Sequence, residues 1–161
     1  MLLHLCEWLQ HNQTLLAICG YAPIAAALEV IHYVGVFVLV GTIVLVDLRV
    51  IGVAARRRGL DDLAGQLFRY AWGGLAMVAG SGFMMFTTNA ADYYSDPTFR
   101  IKMTVTALAV IFGLIVQKGA VTWGHTASTP WLDKCVAFVS LLLLFGAILA
   151  GNQVPAISGI G

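Results

Sequence analysis

The sequence predicts an all-α integral membrane protein, a four-helix bundle with an N-terminal amphipathic helix lying at the interface. Three observations predict it. Hydrophobic residues fill 60% of the 161 positions and charged ones 11%, against about 25% charged in a soluble domain. Four stretches match a bilayer span, which takes roughly 20 apolar residues at about 1.5 Å rise each. Lysine and arginine gather on one side of those stretches. A chain this short cannot hide so much apolar surface in one water-soluble core, so the lipid bilayer is the expected solvent. A net charge of +1, with no basic arm and no stacking stripe, excludes nucleic acid as an expected partner.

The elements follow in order. Residues 1–20, "MLLHLCEWLQHNQTLLAICG", lack the basic start of a secretory signal. Leu2, Leu5, Cys6 and Leu9 share one helical face, with His4, Glu7 and His11 elsewhere, which reads as a helix lying on the outer surface. The "NQT" at Asn12 is a glycosylation sequon too short to carry weight. Span one covers about 21–46, with Pro23 in its first turn, where a missing N–H is no loss. Span two covers about 71–88, preceded by a short helix that Asp61 caps. Span three covers about 101–121. Span four covers about 131–150, capped by Ser128 or Thr129 ahead of Pro130, with Pro155 shortly beyond its end. Trp72, Trp123 and Trp131 fall at span ends, where amphipathic rings favour the headgroup layer. The chain is one membrane domain, without a large extramembrane part.

Orientation follows from the cations. Arg49, Arg56, Arg57, Arg58, Arg69, Lys118 and Lys134 lie on one side, and Arg100 and Lys102 on the other. Seven against two puts the first group in the cytoplasm and both termini outside it. The Arg56–Arg58 run reads as an anchor on the anionic leaflet.

Three cysteines build no framework. Cys6 and Cys19 share the outer side and can pair in an oxidising compartment, while Cys135 is near the inner face. None lies in a C-x-x-C or C-x-x-C-H pattern, which argues against covalent haem and a thiolate metal cage. In span two, Ala76 and Gly80 form a small-x-x-x-small pair suited to close helix packing.

The chemistry-bearing residues lie in "LEVIHYVGVFVLVGTIVLVDLR". His32 is eleven residues from Tyr21 and fifteen from Asp47, about 17 Å and about 22 Å along a helix, hence well inside the hydrocarbon. Glu29 is three residues before it and shares its face. Ionisable groups at that depth are expected to face the bundle, and start as functional candidates. The bland alternative is a buried polar network. Lys102 is the expected counter-ion of Glu29, its stem lying along apolar surface. Thr87, Thr88, Asn89, Asn152 and Gln153 lie at the same height. Asp47 reads as a clamp at the cytoplasmic mouth, beside Arg49, Arg69 and Lys118.

These residues carry a resemblance. Glu29, His32 and Gly35, then Gly41, Asp47, Leu48, Arg49 and Gly52, resemble the signature of an uncharacterised bacterial family of small four-span inner-membrane proteins, a domain of unknown function. Phe99 and Lys102 resemble its F-x-x-K element. There is a distant likeness to copper-resistance D proteins and to membrane b-type cytochromes. The cytochrome likeness implies a b-type haem (heme b), but the second intramembrane histidine of a bis-histidine site is absent, and His125 is in the wrong loop.

Two functions are expected from different classes. One is a redox or metal-binding subunit, with haem or a single copper or zinc ion on His32 and Glu29 as supporting partner or co-ligand. Its second ligand comes from Met84, Met85, Met103, Lys102, His4, His11 or a partner chain. Lys102, Asn89, Asn152 and Gln153 would meet the haem propionates. The other is an accessory subunit of a larger membrane complex or homo-oligomer, with no cofactor of its own. A solute or proton carrier is a weaker third reading.

Overall fold

The computed structural model describes residues 17–53, 60–123 and 131–158, with Trp8, His11 and Asn12; at residues 60, 121–123 and 150–158 it describes the backbone alone. The interfacial helix at 1–20, the sequon beyond Asn12, His4, Cys6, the Arg56–Arg58 run, His125 and the Ser128/Thr129 cap lie outside the described residues, as do the side chains of Asn152 and Gln153.

The described residues form helices and no strand. We number the helices α1 (Ala22–Ile51), α2 (Leu60–Thr88), α3 (Ala90–Ser95), α4 (Pro97–Trp123) and α5 (Trp131–Ser158). Three of them are long and apolar enough to cross a membrane, over Ala22–Ile51, Pro97–Ala120 and Trp131–Leu149. Helix α2 is not in that group. It is one continuous helix from Leu60, not a short capped helix followed by a span, and its early turns carry Asp61, Asp62, Gln66 and Arg69. Asp61 and Asp62 sit in its first turn, where a carboxylate favours the N-terminal dipole. The last helix runs past Ala150 and through Pro155 to Ser158. A proline there removes one donor, and the turn continues without it.

Helix α1 has the ends its sequence specifies. Pro23 is in the first turn, and Gly52 closes the helix at φ 94, its N–H bonding back to the carbonyls of Leu48 and Arg49. That left-handed conformation suits a residue without a Cβ. Packing then makes α1 the central strut. It lies against α2, α4 and α5, and 39% of its apolar window is buried against 17% for those of α4 and α5.

The close approach of α1 to α2 rests on Gly35 and Gly74. A Cβ on Gly35 would fall 2.8 Å from Met77 Cβ, and one on Gly74 would fall 2.8 Å from the Leu39 nitrogen. Position 35 pairs with 77 and 39 with 74, so the two helices run antiparallel. The expected Ala76–Gly80 pair is not the packing surface, because a Cβ on Gly80 would meet nothing within 4 Å and Ala76 is exposed. Helix periodicity decides this: Gly74 and Gly80 point to different sides of α2.

Two apolar clusters fill the interior. One joins Leu39, Ile43, Ala71, Ala109 and Leu144. The other joins Val46, Val50, Ala64, Val116, Ala120 and Ala137. The outside is equally apolar, with Phe37, Val30, Phe138, Leu142 and Phe145 exposed, while Thr42, Asp47, Ser81, Gln117 and Ser140 are buried. Polar groups inside and large apolar groups outside suit a hydrocarbon solvent, where the exterior has no water to satisfy.

Candidate functional site

The site is built where α1 and α2 touch. His32 follows from a helix register one turn before Gly35, so the glycine contact that draws the helices together carries the imidazole onto α2. There His32 Nδ1 lies 3.1 Å from Ser81 Oγ. The Ser81 hydroxyl in turn donates to the Met77 carbonyl, the familiar back-bond of a helical serine. With that hydrogen held by Met77, the Ser81 oxygen is open to a ring N–H; in the tautomer that uses it, Nδ1 donates and Nε2 keeps its lone pair. The ring edge rests on Gly82, where a Cβ would lie 3.1 Å from Cε1 and 3.4 Å from Nδ1. The Val78 backbone is a further hydrogen-bond neighbour of the ring.

Lys102 reaches the same region from α4. It is half-buried, and its charge acts on His32. A stack of aromatics sets the start of that helix. Phe86 on α2, Tyr93 on α3 and Phe99 on α4 have ring centroids 4.9 to 6.2 Å apart. Phe99 is three residues before Lys102, one turn away on the same face, which gives the F-x-x-K spacing a physical sense. Asn89 ends α2 as the N-cap of α3, without a side-chain capping bond.

Glu29 stands apart. It is exposed instead of facing the bundle, and no ion pair joins it to Lys102 among the described residues. The cause is the helix face: Leu28, one residue earlier, is buried, and Cys19 further back still meets Thr87 of α2, so α2 covers α1 at this level, and Glu29, turned about 100° from Leu28, is on the outward side. His32 and Lys102 thus lie within electrostatic range of each other. Of the other candidate ligands, Met84 and Met85 are partly buried on α2 and Met103 is exposed on α4. Cys19 is a free thiol, buried, and receives a weak contact from the Thr87 hydroxyl at 4.0 Å.

Asp47 is also not where its sequence position suggested. It is fully buried, and neither carboxylate oxygen has a hydrogen-bond partner. A mouth clamp with Arg49, Arg69 and Lys118 is therefore not formed. Helix α1 continues past it to Ile51, which keeps Asp47 a turn inside the bundle. Ser81, Gln117 and Ser140 were not singled out as site residues from sequence. Their signal is plain in retrospect: each is a hydrogen-bonding side chain in an otherwise apolar helical run.

A model of the family of unknown function DUF6644 matches residues 7–156. The chain belongs to DUF6644. That match takes in helices α1 to α4 of this DUF6644 protein and all but the last two residues of α5, with both His32 and Lys102. No curated protein and no solved structure matches the chain. Among the described residues of this DUF6644 chain, no three histidine, cysteine or carboxylate side chains gather as a metal-binding group.

Proposed function

We propose that this protein is a small four-span subunit of a bacterial inner membrane that binds b-type haem through Nε2 of His32. In this reading α2 is the fourth span and both termini lie outside the cytoplasm, as the cation bias supports. The observation that carries the proposal is the His32–Ser81–Met77 relay. An imidazole whose Nδ1–H is held by an oxygen presents Nε2 in a fixed direction with its lone pair free, which is how ligating histidines are commonly oriented. The fit to haem, over a copper or zinc ion, is supported by the donor set. A protein-built copper or zinc site draws on about three or four side chains. Haem brings four nitrogens of its own and asks the protein for one or two axial ligands.

Lys102 is the second ligand the reading favours. It approaches the His32 region from another helix, with no carboxylate paired to it among the described residues. Its neutral amine would close the axial set that the missing second histidine leaves open. Asn89 would serve a propionate near the outer face; the same role is proposed for Asn152 and Gln153. Haem supplies a one-electron couple. The chain's own part would be to hold Nε2, to keep the site dry between α1, α2 and α4, and to supply the Lys102 amine.

The test is purification in mild detergent, followed by reduced-minus-oxidised spectra of wild type, His32→Ala and Lys102→Met, with metal analysis. A band lost in His32→Ala and shifted in Lys102→Met supports the reading. Freshly prepared wild type with neither chromophore nor metal sinks it. An accessory subunit without a cofactor is the second reading, and one observation favours it. Gly73, Ala76 and Gly80 share one exposed side of α2, and a Cβ on either glycine would meet nothing within 4 Å. Such a strip suits another membrane helix. A colourless protein that co-purifies with a second membrane chain would favour this reading.

A further inference from the structure

At the arginine-rich end of the bundle lies a second polar cluster, away from His32. Asp47 on α1, Gln117 on α4 and Ser140 on α5 are each 0% exposed. Both Asp47 oxygens, both Gln117 amide atoms and Ser140 Oγ are buried without a hydrogen-bond partner. The register brings the three together. Ile43 packs on Gly113, where a Cβ would lie 2.8 Å from Ile43 Cδ1. One turn further along both helices are Asp47 and Gln117. Ser140 Oγ is near enough to act on the Asp47 carboxylate, short of hydrogen-bonding geometry. Val46, Val50, Val116, Ala120 and Ala137 form the apolar wall around them.

An ionised carboxylate in such a setting needs a cation or a set of donors, and otherwise it takes up a proton. Charged residues of the surrounding helices at this end are Arg49 on α1, Asp61, Asp62 and Arg69 on α2, Lys118 on α4, and Asp133 and Lys134 on α5. None makes an ion pair with Asp47. We propose that Asp47, Gln117 and Ser140 form a proton-binding site in which Asp47 is held as a neutral carboxylic acid. The donor and acceptor count can close for that state once side-chain rotamers adjust. The acid O–H would then donate to the Gln117 carbonyl oxygen or to Ser140, while its C=O would accept from the Gln117 amide or the Ser140 hydroxyl. A hard metal cation draws on about six oxygens. The three side chains offer four, and the helical carbonyls are engaged in their own ladder. One proton taken from solvent converts the carboxylate from −1 to neutral, and nothing else changes hands. The site is independent of the haem reading.

The experiment is infrared spectroscopy of the full chain in lipid nanodiscs at neutral pH, with and without sodium. Wild type should show a carboxylic-acid C=O band that is lost in Asp47→Asn. Ser140→Ala and Gln117→Leu should keep the band and shift its position, since each removes one hydrogen-bond partner. Identical spectra for wild type and Asp47→Asn would overturn the proposal, because Asp47 would then be ionised. A band that disappears on adding sodium would overturn it in favour of a cation site. Should Asp47→Asn fail to fold, wild type carrying carbon-13 aspartate decides the matter. An isotope-shifted acid band at neutral pH supports the proposal, and its absence refutes it.

Discussion

His32 and Ser81 meet across the α1–α2 contact at 3.1 Å, forty-nine residues apart in the chain. The pair joins the two helices and fixes the direction of the imidazole at once. Ser81→Ala removes the acceptor and leaves the ring free to turn. If haem is bound, its affinity should fall roughly 10- to 100-fold, the usual cost of losing a partner that orients a ligating histidine. Haem titration of the apo-protein measures this, and an unchanged affinity would show that Ser81 does not orient the ring.

The glycines of α1 and α2 separate cleanly by what surrounds them. Gly35→Ala and Gly74→Ala each drive a methyl into the partner helix at 2.8 Å. Each should destabilise the bundle by about 1–3 kcal/mol, the range for overpacking. Gly80→Ala meets open space and should fall within about 1 kcal/mol, on the stabilising side. Unfolding in mixed micelles ranks the three, and equal losses would contradict the contact geometry.

Gly113 and Ile43 give a coupling experiment. Gly113→Ala collides with a side chain, so shortening that side chain restores room. Ile43→Ala alone should cost about 2–5 kcal/mol, but combined with Gly113→Ala the two losses should fall short of their sum by a coupling energy of about 0.5–3 kcal/mol. Additive losses would place the two residues out of contact.

Glu29 and Lys102 test the opposite expectation. With Glu29 exposed and unpaired to Lys102, Glu29→Gln should change stability by no more than about 0.5 kcal/mol. Combined with Lys102→Met, it should add nothing beyond the separate effects. A strong coupling in the double-mutant cycle would restore the ion pair that the sequence suggests.

Topology is testable at two exposed positions. In a cysteine-free background, Ser95→Cys should react with a membrane-impermeant thiol reagent added to intact cells, and Asp62→Cys should react only after lysis. The reverse pattern would invert the cation-bias argument.

Some of this was legible in the sequence, and the reason differs residue by residue. Pro23 and Gly52 delimit α1 because each imposes a backbone constraint of its own. His32 stands out because an imidazole in an apolar run has few innocent explanations. Ser81 was harder to see, since its importance depends on the register of α1 against α2, which Gly35 and Gly74 set and no local pattern announces. Glu29 and Asp47 were misread for a shared reason. Hydropathy locates the apolar stretch, whereas burial depends on which face of a helix meets its neighbours. At Glu29 the side chain is on the outward face of α1, and at Asp47 it is on the enclosed one.

The central position of α1 has a consequence for assembly. This helix touches α2, α4 and α5, and it leaves the ribosome before any of them. The surface on which the later helices dock is therefore already present when each emerges. Helix α2 follows at once and closes an antiparallel hairpin on Gly35 and Gly74. The remaining pair then completes a structure whose template was delivered first, so the order of synthesis and the order of packing coincide.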